Sequence, residues 1–341
     1  SIATNHVQLC AVVHCSAGIG GTGTVIYDLL CYDHLMYNKQ VDFISVLEHL
    51  RQSRARLIEN QAQFKLSLQL FDEIIHDHTH VISASELNDK LQDVLICCGV
   101  QFEKLQRMGS RLTFFNAKDP QNSSFNRSQD ILPADSQRVY FQDHKNETPY
   151  INAVRVTGLL TTAEIIVTEH PTLRSMERFW SMVVEKKCST IVLLNNTFSE
   201  EFPPFYPSIH AGEEVVQAGI FCVKMKCSGE NSGDLFNFVL EITGRKNPYT
   251  VNVYEVMGWQ RGIPVPPNVD LLVKLSDTLL ATTQKTAEHT LFICGDGCMA
   301  SGLATAVLSV LERIKDLQDI DVYRTAVKLR RSRHQFITDR S

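Results

Sequence analysis

The sequence predicts an α/β protein in which a mixed, twisted sheet is flanked by helices, and three observations predict it. The first is a long-range repeat: Cys15 recurs as Cys294, and at the same offset of 279 Gly23 meets Gly302 and Asp42 meets Asp321. Leu50 likewise meets Leu329, and Arg51 and Arg54 meet Arg330 and Arg333. The second is that in each copy an apolar, β-prone run leads into a cysteine, a small-residue loop and a helix-period stretch. The third is the stretch between the copies, where β-rich segments alternate with polar loops and an occasional helix.

In chain order, Leu9 to Val13 is the first expected strand, a helix-period stretch follows the Cys15 loop, and a first unit runs to about residue 80. Ser83 to Arg107 carries helical periodicity behind a Ser or Glu start, so an ordered helical connection is expected over 81–107. The second unit then runs over 108–341, with strands expected at Glu164–Thr168, Thr190–Leu194, Gly219–Met225, Tyr249–Val253 and Thr290–Ile293. Leu303, Val307, Leu311 and Ile314 mark the core face of the helix after Cys294, and Val322, Ala326 and Leu329 that of the next.

With 44% hydrophobic and 21% charged residues in 341, the chain has enough apolar material for a large core or two smaller ones. A formal charge of -5 argues against a nucleic-acid binder that works by neutralising phosphates. No apolar run is long enough to cross a bilayer. Ten cysteines at irregular spacings, Cys97 and Cys98 adjacent, fit reduced thiols better than a disulfide framework. Asn122, Asn126, Asn146 and Asn195 head glycosylation sequons, a pattern that arises often by chance.

The chemistry is carried by His14-Cys15-Ser16-Ala17-Gly18-Ile19-Gly20-Gly21-Thr22-Gly23. Between a strand and a helix, such a loop turns successive backbone N–H groups inward as an anion nest, and the helix N-terminus adds positive potential. The same field lowers a thiol pKa, which makes Cys15 a candidate nucleophile able to form a phosphocysteine, with Ser16 to Thr22 as the phosphate-binding backbone. The second copy reads Ile293-Cys294-Gly295-Asp296-Gly297-Cys298-Met299-Ala300-Ser301-Gly302. There Asp296 puts a carboxylate inside a loop built to attract anions, opposing both phosphate binding and thiolate formation at Cys294.

The first string resembles the signature loop of receptor-type protein tyrosine phosphatases, His-Cys-Ser-Ala-Gly-x-Gly-Arg-Thr-Gly, with Gly21 where arginine belongs. Ala300 stands at the equivalent place in the second loop. The resemblance covers nearly the whole chain: the last third of a first domain over residues 1–80, then a nearly whole second domain. That second stretch carries Asn126-Arg127, Asp130-Ile131-Leu132-Pro133, Tyr150-Ile151-Asn152-Ala153, Phe179-Trp180 and Phe205-Tyr206-Pro207.

By the same resemblance, the glutamines that position the hydrolytic water fall on Glu59 and Gln63, so only Gln63 remains. Ser128 replaces the tyrosine that stacks on the substrate ring. Gly258-Trp259-Gln260-Arg261-Gly262-Ile263-Pro264 replaces the loop that carries the general acid, and it contains no carboxylate. For the first domain, the acid loop is expected upstream of Ser1, and a last helix is expected beyond Ser341. The resemblance implies no cofactor and a cytoplasmic module of a membrane-anchored parent. It implies a partner that is a phosphotyrosine protein or another phosphatase domain. The expectation is a catalytically impaired tandem module; the alternative is hydrolysis of phosphotyrosine through Cys15.

Two smaller features complete the reading. His76, His78 and His80 alternate as a metal site would but lack convergent partners, so no metal is expected. Lys328, Arg330, Arg331 and Arg333 are expected to form a solvated basic face.

Overall fold

Leu291 and Ile293 fall in one apolar cluster while Phe292 and Cys294 fall in another, so the run before Cys294 is a strand buried on both faces. Around it, the computed structural model describes residues 11–38, 40–78, 81–108, 112–143, 145, 147–156, 164–195, 199, 201–207, 214–231, 233–283 and 289–338. The chain divides into two compact units, Ser1–His80 and Val81–Ser341.

The first unit holds α1 (Gly20–Asn38), α2 (Phe43–Ser53) and α3 (Gln61–His78) around Tyr27, Cys31, Val46, Leu50, Leu57, Ile58 and Phe71. Asp42 caps α2 by accepting from the Ile44 and Ser45 N–H groups, both at 3.1 Å. A Cβ built on Gly23 would lie 2.5 Å from the Ile58 nitrogen, so only glycine lets α1 approach that turn.

The second unit contains, in order, β1 (Ile82–Ser83), α4 (Leu87–Arg107), α5 (Phe115–Lys118), α6 (Pro120–Ser123), β2 (Ala153–Val156), β3 (Ile165–Glu169) and α7 (Met176–Glu185). Then follow β4 (Cys188–Leu193), β5 (Val215–Ala218), β6 (Phe221–Asn231), β7 (Leu235–Thr243), β8 (Tyr249–Val256) and α8 (Asp270–Thr283). The unit closes with β9 (His289–Cys294), α9 (Met299–Leu317), β10 (Asp319–Ile320) and α10 (Val322–Ser332). Its main sheet has eight strands in the order β2-β3-β9-β4-β8-β7-β6-β5; the pairs β3–β9, β9–β4 and β4–β8 are parallel and the others antiparallel. Phe179, Trp180, Phe205 and Phe238 fill one face. Trp259, Leu275, Phe292, Leu308 and Phe336 fill the other, with Trp259 donating its indole N–H to the Ile263 carbonyl at 2.8 Å.

The repeat extends to backbone detail. At the offset of 279, α1 maps onto α9 and α2 onto α10, end to end. Gly18 and Gly297 share a φ of 65°, Ile58 and Ile337 have φ of 57° and 54°, and Asp321 caps α10 as Asp42 caps α2.

Several expectations are corrected. Leu9 and Cys10 lie outside the described residues, and residues 11–13 form no strand. A ladder needs partners: β9 has β3 and β4, but the described first unit supplies none, leaving Val12 89% exposed where its counterpart Leu291 is 0%. The helix expected from Ser83 starts at Leu87, because Ile82 and Ser83 pair with Ile320 and Asp319 first. Val322 faces solvent at the start of α10, while Ala326 and Leu329 are buried. Arg330 and Arg333 are not solvated; they are buried and bonded to oxygen acceptors. The Asn126 and Asn195 sequons are buried, and Asn146 lies outside the described residues. The side chains of His76, His78 and His80 also lie outside them. Among the described residues no helix is long and apolar enough to cross a membrane, and no cluster of three His, Cys, Asp or Glu could hold a metal.

Candidate functional site

Small residues let the chain turn sharply at Gly18 and enter α1 at Gly20, so the first loop lies at a helix N-terminus. Cys15 is partly exposed there, and the Thr22 hydroxyl donates to its sulfur at 3.1 Å. That bond, with backbone N–H groups of Thr22, Gly18 and Ile19, lowers the Cys15 pKa to about 6 against the opposing effect of burial. At neutral pH the sulfur is a thiolate, the form a nucleophile needs. Backbone N–H groups of Ser16 to Thr22 form the loop; no side chain there carries a positive charge.

Gly21 leaves space in place of a cation. A Cβ built on it would sit 3.5 Å from the Cys15 Cβ and 3.9 Å from its sulfur, ordinary contact distances. Gln63 does reach the loop: its Oε1 accepts from the Glu59 N–H at 2.8 Å, and its Nε2 lies 2.6 Å from where a Cβ on Gly20 would be. The Glu59 carboxylate instead turns to Arg56, 3.6 Å away. Sequence reasoning used Arg54 only as a repeat landmark. The structure places its guanidinium 3.0 Å from the Cβ position of Gly18, directly against the loop. Its recurrence as Arg333 was the available signal.

The second loop has the same backbone and the opposite chemistry. Asp296 Oδ1 accepts from the N–H groups of Cys298 (2.8 Å) and Met299 (3.0 Å), the donors that open α9. The Cys294 thiol also donates to it, at 3.2 Å. The chain's own carboxylate thus occupies donors that an anion would use. Burial first, then the Asp296 charge, pushes the Cys294 pKa up to about 12. The thiol stays protonated and inert.

Arg261 completes the closure. It stands where the resemblance would put the acid-bearing loop, and its Nε lies 2.5 Å from the Cβ position of Gly295. The first loop has Ser16 at that place; glycine in the second makes room for the arginine stem. The guanidinium stacks on Phe202, 3.1 Å from the ring centroid, and Arg127 packs on the same ring at 4.2 Å. Ser128 accepts from the Asp130 N–H at 3.1 Å and brings no ring of its own to that position.

Beneath the loop, Arg333 donates to Asn152 (2.8 Å), and Asn152 donates to Glu169 (3.0 Å). Arg127 N–H reaches the other Glu169 oxygen at 3.1 Å. Burial raises the Glu169 pKa to about 8. Sequence reading missed Arg261 and Glu169 as site residues: Arg261 was noted only as part of a loop without a carboxylate, and Glu169 matches no motif position.

The family model described as protein-tyrosine phosphatase matches residues 4–73 and 122–341. The chain is 25% identical over 343 residues to human receptor-type tyrosine-protein phosphatase alpha, covering 96% of this chain and 42% of that protein. It is 25% identical over 347 residues to human receptor-type tyrosine-protein phosphatase zeta, covering 95% of this chain and 14% of that protein. It is 25% identical over 362 residues to rat (Rattus norvegicus) receptor-type tyrosine-protein phosphatase C, covering 94% and 28%. The chain therefore spans less than half the length of these relatives.

Proposed function

The chain belongs to the protein-tyrosine phosphatase family, and from that premise we propose that it is a catalytically impaired member, a tandem pseudophosphatase module that binds partners in phosphotyrosine signalling. The observation that carries this reading is the pair of loops without arginine, Gly21 in one and Ala300 in the other. A bidentate arginine contributes two charge-assisted bonds of about 1.5–3 kcal/mol each, so its loss from the transition state slows turnover by about 10²–10⁴. In the second loop, the inert Cys294, the Asp296 carboxylate on the anion donors and the Arg261 stem over Gly295 add independent support. Its binding role rests on the first loop, where Ala17 stands in place of Asp296 and the Cys15 pKa is lowered to about 6. As a cytoplasmic part of a membrane-anchored parent, it would meet phosphotyrosine proteins or another phosphatase domain.

The competing reading is hydrolysis through Cys15. The thiolate would attack phosphorus, the phosphorus–oxygen bond to tyrosine would break and the phenolate would take a proton from a general acid; water would then attack the phosphocysteine, breaking its sulfur–phosphorus bond to release phosphate and the Cys15 thiolate. The low pKa of Cys15 and the approach of Gln63 favour it. Hydrolysis of a phosphotyrosyl peptide by this chain and by the parent's full cytoplasmic region, each beside Cys15→Ser, decides. Turnover by the unmodified full region that Cys15→Ser abolishes would sink the pseudophosphatase reading. Peptide binding without turnover supports it.

A further inference from the structure

The helix α4 is held at both ends and uncovered between them. Ahead of it, Ile82 and Ser83 pair with Ile320 and Asp319. In its last turn the Leu105 carbonyl accepts from Arg330 at 2.7 Å, and Gln106 donates to the Thr338 carbonyl at 2.9 Å. Leu105 is buried there, whereas Leu91 is 43% and Leu95 56% exposed, Ile96 and Val100 more so, and Cys98 faces solvent.

The uncovered turns are also the part least suited to stay helical alone. Val94, Ile96, Cys97, Cys98, Gly99 and Val100 are weak helix formers, Gly99 the weakest of them. A helix of that composition draws its stability from packing. The pattern says what it packs against. Leu87, Leu91, Val94 and Cys98 follow one another at steps of four, three and four, and Leu95 widens the stripe, so one apolar ridge runs along about three turns. Ile96 and Val100 lie on the opposite side of the helix.

We propose that this ridge pairs with the same ridge of a second copy of the chain, helix against helix, in a weak and reversible dimer. Steps of four and three keep side chains facing a second helix over successive turns. The flanks admit an identical partner: Lys90 pairs with Glu86 at 3.0 Å and Arg107 with Glu103 at 3.5 Å. Within α4, Asp89, Asp93 and Glu103 balance Lys90, Lys104 and Arg107, so two copies meet without net repulsion. The same balance disfavours a bilayer surface, which selects helices with an excess of Lys and Arg. At roughly 60–120 Å² for each apolar side chain, the ridge buries at most about 300–600 Å² per copy, the size of a transient rather than an obligate interface. The pairing uses neither cysteine loop, so it stands apart from the pseudophosphatase reading.

Sedimentation velocity of the full chain in reducing buffer, from about 1 to about 200 µM, tests it. The expected result is a monomer that passes into a dimer with a dissociation constant on the order of 10–100 µM. Leu91→Glu with Leu95→Glu sets charges into the ridge and should weaken the dimer at least about tenfold. Ile96→Glu, on the far side of the same helix, should leave it unchanged. Circular dichroism checks that the double variant folds; if it does not, Leu95→Glu alone, at the more exposed of the two positions, is expected to weaken the dimer about fivefold. A chain that stays monomeric throughout, a dimer that survives the ridge variants, or one lost equally with Ile96→Glu overturns the proposal. A monomer that binds phosphatidylserine vesicles through the ridge would assign it to a bilayer and overturn the proposal likewise.

Discussion

Replacing Gly21 by arginine tests the central argument, because the structure gives both the space and the magnitude. The Cβ position on Gly21 meets nothing closer than the Cys15 Cβ at 3.5 Å, and the residue lies in the first turn of α1, so the substitution fits without moving the backbone. Two charge-assisted bonds to a phosphoryl group are worth about 3–6 kcal/mol when water is excluded, and about half of that in a loop open to solvent. A positive charge at a helix N-terminus costs about 0.3–1 kcal/mol in return. The net gain, about 0.5–2.7 kcal/mol, corresponds to a phosphotyrosyl peptide binding about 2- to 100-fold more tightly. The assay is fluorescence anisotropy in a Cys15→Ser background, which removes turnover, comparing Gly21→Arg with Gly21→Gln. Equal affinities for the two would refute the claim that a missing charged fork limits this loop.

Cys15 should alkylate with iodoacetamide at a rate that rises with pH through about 6 and levels off above it, since the reactive thiolate accumulates above its pKa. Thr22→Val should shift that midpoint upward by removing the hydroxyl donor, as a pH series of alkylation by mass spectrometry would show. Cys294 should resist the same reagent in the folded chain, and Asp296→Asn should lower its pKa by removing a like charge; an unchanged pH profile would contradict that assignment. Gly23→Ala drives a methyl group into the Ile58 backbone and is expected to destabilise the first unit by about 1–3 kcal/mol, measured by urea unfolding and by proteolysis within residues 20–78. Glu169, with its pKa raised by burial, favours folding when protonated. Its contribution is fully present below about 4.5 and lost as pH rises through about 8, so Glu169→Gln should flatten the thermal midpoint over that window.

Much of the fold was legible because it depends on patterns that a sequence carries directly. The run before Cys294 could be read as a strand, and the offset of 279 located helices that proved equal end to end. Local chemistry failed where a distant partner decides the outcome. Leu9 to Val13 has strand composition, but a strand is made by its neighbours, and the described first unit offers none. Arg330 and Lys328 look alike in a basic run; only the crossing of α10 over the end of α4 turns one inward to the Leu105 carbonyl. At the site, Cys15, Thr22 and Asp296 were readable as loop residues in sequence order. Arg261 was not, because the fold brings it to Gly295 from 34 positions away, and its guanidinium meets Phe202 only through the sheet between them.

The carboxylate seated on the opening turn of α9 has a thermodynamic consequence. A protein whose anion site is filled by a covalently attached residue holds its ligand at a fixed effective concentration, and no external supply can raise the occupancy. Phosphate should therefore stabilise the second unit no more than another salt excluded from the surface to the same degree, since mass action has nothing left to act upon at this loop.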